Sequence, residues 1–123
     1  MRFARRVLWV AGIYGLVMII PGFFMEARTG LEFPPPITHA EYYYGFLGVT
    51  LAWQVMFLFL AQDPQRYRQL LIPAVLEKVS FGATVIVLLG QYRIPMQIFL
   101  GGMLDLLFAV LFVVSYFKLS PAH

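Results

Sequence analysis

The chain contains no cysteine, and that absence removes disulfides, thiolate metal sites, thiol–disulfide exchange and cysteine nucleophiles from consideration. Charge is nearly as scarce. Only 12% of the residues are Asp, Glu, Lys or Arg, where an ordinary soluble domain carries about a quarter. The two histidines both lie outside the apolar runs, so paired axial ligation of haem across a helix bundle lacks its ligands. The spacings G-x-x-x-x-G-K-[ST], G-x-S-x-G, H-E-x-x-H and G-x-G-x-x-G are all missing, and with them the motifs of phosphate cradles, serine hydrolysis, zinc proteolysis and dinucleotide binding. Six methionines are scattered along the chain, a distribution that fits adaptable packing better than copper handling.

What is present is apolar: 61% of 123 residues. A soluble core of that length would leave much of this surface in water, whereas a small helical membrane domain turns it toward acyl chains. Four runs stand out, at 7–25, 42–62, 70–90 and 96–117. Each is near the ~20 residues that cross ~30 Å of hydrocarbon at 1.5 Å per residue. The breaks between them, GLEFPPPITHAE, QDPQRYRQ and QYRIPMQ, carry turn chemistry. Pro34 to Pro36 cannot be helical, and the last two breaks are short, so spans two, three and four are expected to be consecutive neighbours. The predicted fold is all-α: one transmembrane domain over 1–123, an antiparallel bundle of four membrane-spanning helices.

Charge sets the expected orientation. With four spans both termini share a side, and that side carries Arg2, Arg5, Arg6, Arg66, Arg68 and Lys118, against Arg28 and Arg93 opposite. The positive-inside rule then places both termini in the cytoplasm of a multi-pass protein of the inner, cytoplasmic membrane. Trp9, Tyr42 to Tyr44, Tyr67, Tyr92 and Tyr116 fall near span ends, where amphipathic rings prefer the headgroup level. The net charge of +3 is thus an orientation signal, and no nucleic-acid partner is expected. The first span has a rival reading as a signal peptide, with MRFARR as basic region and VLWVAGIYGLVMII as apolar region. Its cleavage region, PGFFMEARTG, has no clear small-x-small site, and the mass of the mature protein decides between the two.

Polar side chains interrupt the spans at shared depth. Tyr14, Gln54, Glu77, Lys78 and Asp105 come from four different spans, and all are expected in the inner half of the bilayer. A charge at the bilayer centre costs about 3 kcal/mol on insertion scales, so such groups face the bundle and pair. Adjacent residues on a helix point about 100° apart, so Glu77 and Lys78 are expected to seek different partners. Pro73, Glu77, Ser80 and Thr84 form one stripe, read as the inward face of span three. Lys78 lies on another with Ala74, Gly82 and Val85, small enough for close helix contact. Rows of small residues also mark Gly101 to Ala109 and Gly45, Gly48 and Ala52. The preferred arrangement sets Lys78 against Asp105, with Glu77 in reach of Tyr14, Gln54 or an N-terminal arginine. Such a cluster either fixes helix register or serves as a ligand or proton site.

In the outer loop, His39 and Glu41 are too few for a metal centre. Thr38-His39-Ala40-Glu41 reads instead as a capping box for span two.

The four-span layout, the basic N-terminus, the long proline-rich first loop and RYRQLLIPAVLEKVSFG leading into span three together resemble small bacterial DoxX-like membrane proteins. The resemblance covers nearly the whole chain. It implies a four-helix bundle and raises a redox-linked or accessory role, since the group includes a membrane subunit associated with thiosulfate-to-quinone oxidoreduction. It carries over no catalytic position. The leading functional expectation is a non-catalytic accessory subunit of a larger membrane assembly. Its partners are the lipid bilayer and either another membrane protein or further copies of this chain. The alternative is binding or transport of a quinone-like molecule, a proton or an ion through Glu77, Lys78, Asp105, Gln54 and Tyr14. No metal or obligatory cofactor is expected; a quinone is the one cofactor considered. Catalysis by this chain alone is the least favoured reading.

Overall fold

A computed structural model describes residues 1–119. Among them there is no β-strand, and five α-helices account for most of the chain. They are α1 (Arg2–Ile19), α2 (Glu26–Glu32), α3 (Ala40–Gln62), α4 (Leu71–Gly90) and α5 (Met96–Lys118). Short 3₁₀ turns extend α1 over Ile20–Phe24 and precede α4 over Arg68–Leu70. The four long helical segments, Arg2–Phe24, Ala40–Gln62, Arg68–Gly90 and Met96–Lys118, are each long and apolar enough to cross a membrane.

Proline explains two of the boundaries. Pro21 lacks an N–H and its ring collides with the carbonyl four residues back, so α1 gives way to a 3₁₀ turn where the sequence predicts unbroken helix. Pro73 sits in the first turn of α4, where the backbone N–H has no intrahelical partner and nothing is lost. The short helix α2 falls in a stretch expected to be irregular, supported by an Arg28 Nε–Glu32 Oε1 contact of 2.8 Å at i,i+4 spacing. The expected capping box does not form. His39 is the residue before α3, no side chain caps that end, and Glu41 Oε1 lies 3.2 Å from His39 Nδ1 instead. Tyr43 and Tyr44 tie the connection down. Their hydroxyls donate to the Gly22 carbonyl at 2.7 Å and to Glu26 Oε1 at 3.0 Å.

The helices pair unevenly. α4 packs along α5, α1 packs along α3, and α1 also meets α5. The expectation of close neighbours holds for α4 and α5 and fails for α3 and α4, which touch only sparsely. Small residues decide the close pairs. A Cβ at Gly82 would run into Leu106, one at Gly102 into Val85, and one at Gly12 into Leu58. The rows marked in the sequence at Gly45, Gly48 and Gly101 are not contacts: a Cβ at any of them meets nothing within 4 Å.

The core lies toward one end. Leu8 and Ala11 of α1, Phe57 of α3, Ala74 of α4 and Phe112 of α5 are sealed together, with Phe57 and Phe112 rings edge to face at 5.1 Å. Two arginines close that end. Arg5 Nε donates to the Ala61 carbonyl at 3.2 Å and Arg68 Nε to the Tyr116 carbonyl at 2.9 Å, satisfying acceptors that the last turns of α3 and α5 leave open. Arg68, read in the sequence only as an orientation charge, is buried and stacks over the Tyr116 ring at 3.7 Å. Beyond this core a cavity lies among α1, α3, α4 and α5.

Candidate functional site

The cavity has a volume of about 470 Å³ and takes side chains from α1, α3, α4 and α5. Its walls are aromatic and apolar, with Phe46 and Trp53 from α3 and Phe81 from α4; the Phe46 and Phe81 rings pack on each other at 6.1 Å. Its floor is polar and rests on the sealed core. Tyr14, Gln54, Glu77, Lys78 and Asp105 all line it, and each lies within three residues of the middle of its span. The five side chains therefore share a level near the middle of the spans, Gln54, Glu77 and Lys78 on the side of the basic end.

Lys78 is the hub. Its Nζ lies 3.6 Å from Asp105 Oδ1 and 3.7 Å from Glu77 Oε2, and over the Phe57 and Phe108 rings at 5.1 and 5.6 Å. The Glu77–Lys78 contact corrects the expectation that these neighbours seek separate partners. Their Cβ atoms do diverge, but the four-carbon stem of lysine swings the ammonium back over the preceding carboxylate. No N-terminal arginine reaches Glu77, because Arg5 is engaged at Ala61. Gln54 Nε2 donates to the Thr50 carbonyl at 2.9 Å and to Glu77 Oε1 at 3.5 Å. Gln54 is fully buried, and a side chain at Gly15 would overlap its amide, so α1 keeps a glycine where α3 presents the glutamine. Tyr14 stacks at 5.7 Å on Phe108.

Two acceptors remain without a hydrogen bond in this sealed layer: Gln54 Oε1 and Glu77 Oε2. Glu77 Oε2 still faces the Lys78 ammonium at 3.7 Å, whereas Gln54 Oε1 gives up its hydration with no donor in return.

Glu77, Ser80 and Thr84 line the cavity together with residues of α1, α3 and α5, the inward-facing side expected of their stripe; the closely packed stripe of α4 is Leu71, Ala74, Lys78, Gly82 and Val85. The Ser80 and Thr84 hydroxyls donate back to carbonyls four residues earlier at 2.7 Å, so they line the cavity without an unmet donor. Sequence reasoning missed the aromatic walls. Phe46, Trp53 and Phe81 are indistinguishable there from the lipid-facing aromatics around them.

Elsewhere the chemistry is thin. His39 and Glu41 form an exposed pair beside the Tyr42 ring, and among the described residues no three His, Cys, Asp or Glu gather as a metal group.

Four apolar helices of this length define a multi-pass membrane protein. No family model, no curated protein and no solved structure matches the chain.

Proposed function

We propose that this protein binds a small amphipathic molecule in the cavity between α3 and α4, as a four-span antiparallel bundle with both termini in the cytoplasm. The observation that carries the reading is the cavity itself: a ligand-sized space at mid-span, aromatic along its walls and polar at its floor. A molecule with an apolar body and a polar head would enter from the lipid or the outer face, lay its body along Phe46, Trp53 and Phe81, and set its head on Glu77 and Asp105. The bundle topology is supported by Arg5 of α1 reaching Ala61 at the end of α3, and Arg68 before α4 reaching Tyr116 at the end of α5. The basic residues then share one end, the arrangement that favours a cytoplasmic face of the inner membrane.

The accessory role rests on small size, absent cofactor ligands and the DoxX-like layout; the cavity is the specific observation that favours binding over it.

Photolabelling tests the proposal. An aryl-azide probe with a decyl tail, irradiated with the detergent-purified protein, is expected to mark peptides containing Trp53 or Phe81. Thr84→Trp, which fills the cavity from its side, is expected to abolish the marking while leaving the melting temperature within a few degrees. Labelling spread evenly over the lipid-facing surface, unchanged by Thr84→Trp, would sink it.

A further inference from the structure

The charges of the cavity floor do not balance, and they are not equally accessible. Two carboxyl groups, Glu77 and Asp105, share a single ammonium, so the floor holds one acidic group more than it has basic partners. The ammonium is the hidden member: the Lys78 side chain is 4% exposed, while Glu77 and Asp105 keep 15% and 18% open. Lys78 is withdrawn behind the carboxylates, over the Phe57 and Phe108 rings. A molecule in the cavity therefore meets carboxylate oxygen first. Phe46, Trp53 and Phe81 line the same cavity, and aromatic rings attract cations.

An excess of acidic groups, carboxyl oxygens more open than the ammonium, and aromatic walls ask for the same head group: one that is positively charged and donates hydrogen bonds. Resting on the binding reading above, we infer that the ligand class is a lipophilic amine in its ammonium form, with its N–H groups directed at Glu77 and Asp105. A quinone, whose ring oxygens only accept, offers no donor to the open carboxyl groups of Glu77 and Asp105. A hydroquinone brings donors but no charge.

The experiment is saturable binding of matched probes to the purified full chain in detergent. Tritiated 6-phenylhexylamine and tritiated 6-phenylhexanol share one body and differ in the head; decylhydroquinone serves as competitor. The amine is expected to bind at least about tenfold more tightly than the alcohol. Glu77→Gln, which neutralises the floor, is expected to remove most of that preference, and Asp105→Asn serves as the second neutralising variant should Glu77→Gln not fold. Equal binding of amine and alcohol would overturn the charge inference while leaving the cavity as a binding site. Displacement by decylhydroquinone with no saturable amine binding would overturn it in favour of a neutral donor. Absence of saturable binding for all three probes would remove both this inference and the binding reading beneath it.

Discussion

The ammonium of Lys78 lies 3.6 Å from Asp105 Oδ1, joining α4 to α5 at the level where the sealed core gives way to the cavity. Glu77 competes for the same ammonium at 3.7 Å, so the three charges are unequal in what their loss exposes. Lys78→Met leaves two carboxylates facing each other in a desolvated layer and is expected to cost about 3 kcal/mol or more. Asp105→Asn leaves a neutral Glu77–Lys78 pair and is expected to cost roughly 1 kcal/mol. Unfolding of both variants in a detergent series measures the difference. An Asp105→Asn cost equal to that of Lys78→Met would mean the ammonium is not shared.

Two adjacent glycines offer a sharper packing test. A Cβ at Gly102 would collide with Val85 across the α4–α5 contact, while one at Gly101 meets open space. Gly102→Ala is expected to destabilise by about 1–3 kcal/mol through overpacking. Gly101→Ala is expected to be neutral or stabilising by up to about 1 kcal/mol, the intrinsic helix preference of alanine. Equal thermal shifts for the two would refute the observed rotation of α5.

At the closed end, Arg68 and Arg66 separate a buried from an exposed cation two residues apart. Arg68→Ala strips a donor from the Tyr116 carbonyl and a cation from its ring, for an expected loss of about 2 kcal/mol. Arg66, exposed beside Tyr67, is expected to tolerate alanine within about 0.5 kcal/mol. Melting curves of the two single variants decide it.

The turn after α4 holds a stabilisable position. Tyr92 adopts φ 57°, while Arg93 N–H donates to Leu88 and Tyr92 N–H to Leu89, the pattern of a helix end that ordinarily carries glycine. Gly90 falls two residues too early to serve. Tyr92→Gly is expected to raise stability by about 1 kcal/mol, since the side chain is almost wholly exposed and has little packing to lose. A lowered melting temperature would show that the tyrosine anchors the turn at the membrane surface instead.

The absence of cysteine makes orientation directly measurable. In intact cells, Tyr92→Cys is expected to react with a membrane-impermeant maleimide, whereas Arg66→Cys reacts only after permeabilisation. The reverse pattern would invert the proposed topology.

The spans were legible because their signal is local. Twenty apolar residues between turn signals state a membrane-crossing helix wherever they occur, and the four observed segments begin and end within about five residues of the predicted runs. Lys78, Ala74, Gly82 and Val85 were also legible as one stripe, because helical spacing alone groups them. The partner of each stripe was not. In a membrane protein the lipid-facing and core-facing sides are both apolar, so hydropathy cannot tell Phe57, in the core, from Phe59, 60% exposed. The same blindness hid the aromatic walls of the cavity.

The sequence by itself determined that the chain forms four membrane-length helices, which end carries the positive charge, and which polar side chains share a depth. These follow from transfer free energy along one helix at a time. Only the tertiary structure decided that α3 and α4 stand apart, that Arg68 turns inward, and that Lys78 withdraws behind the carboxylates it serves. Those outcomes depend on how each helix rotates against its neighbours. That rotation is set by a few steric fits, Gly82 against Leu106, Gly102 against Val85 and Gly15 against Gln54, which no one-dimensional pattern encodes.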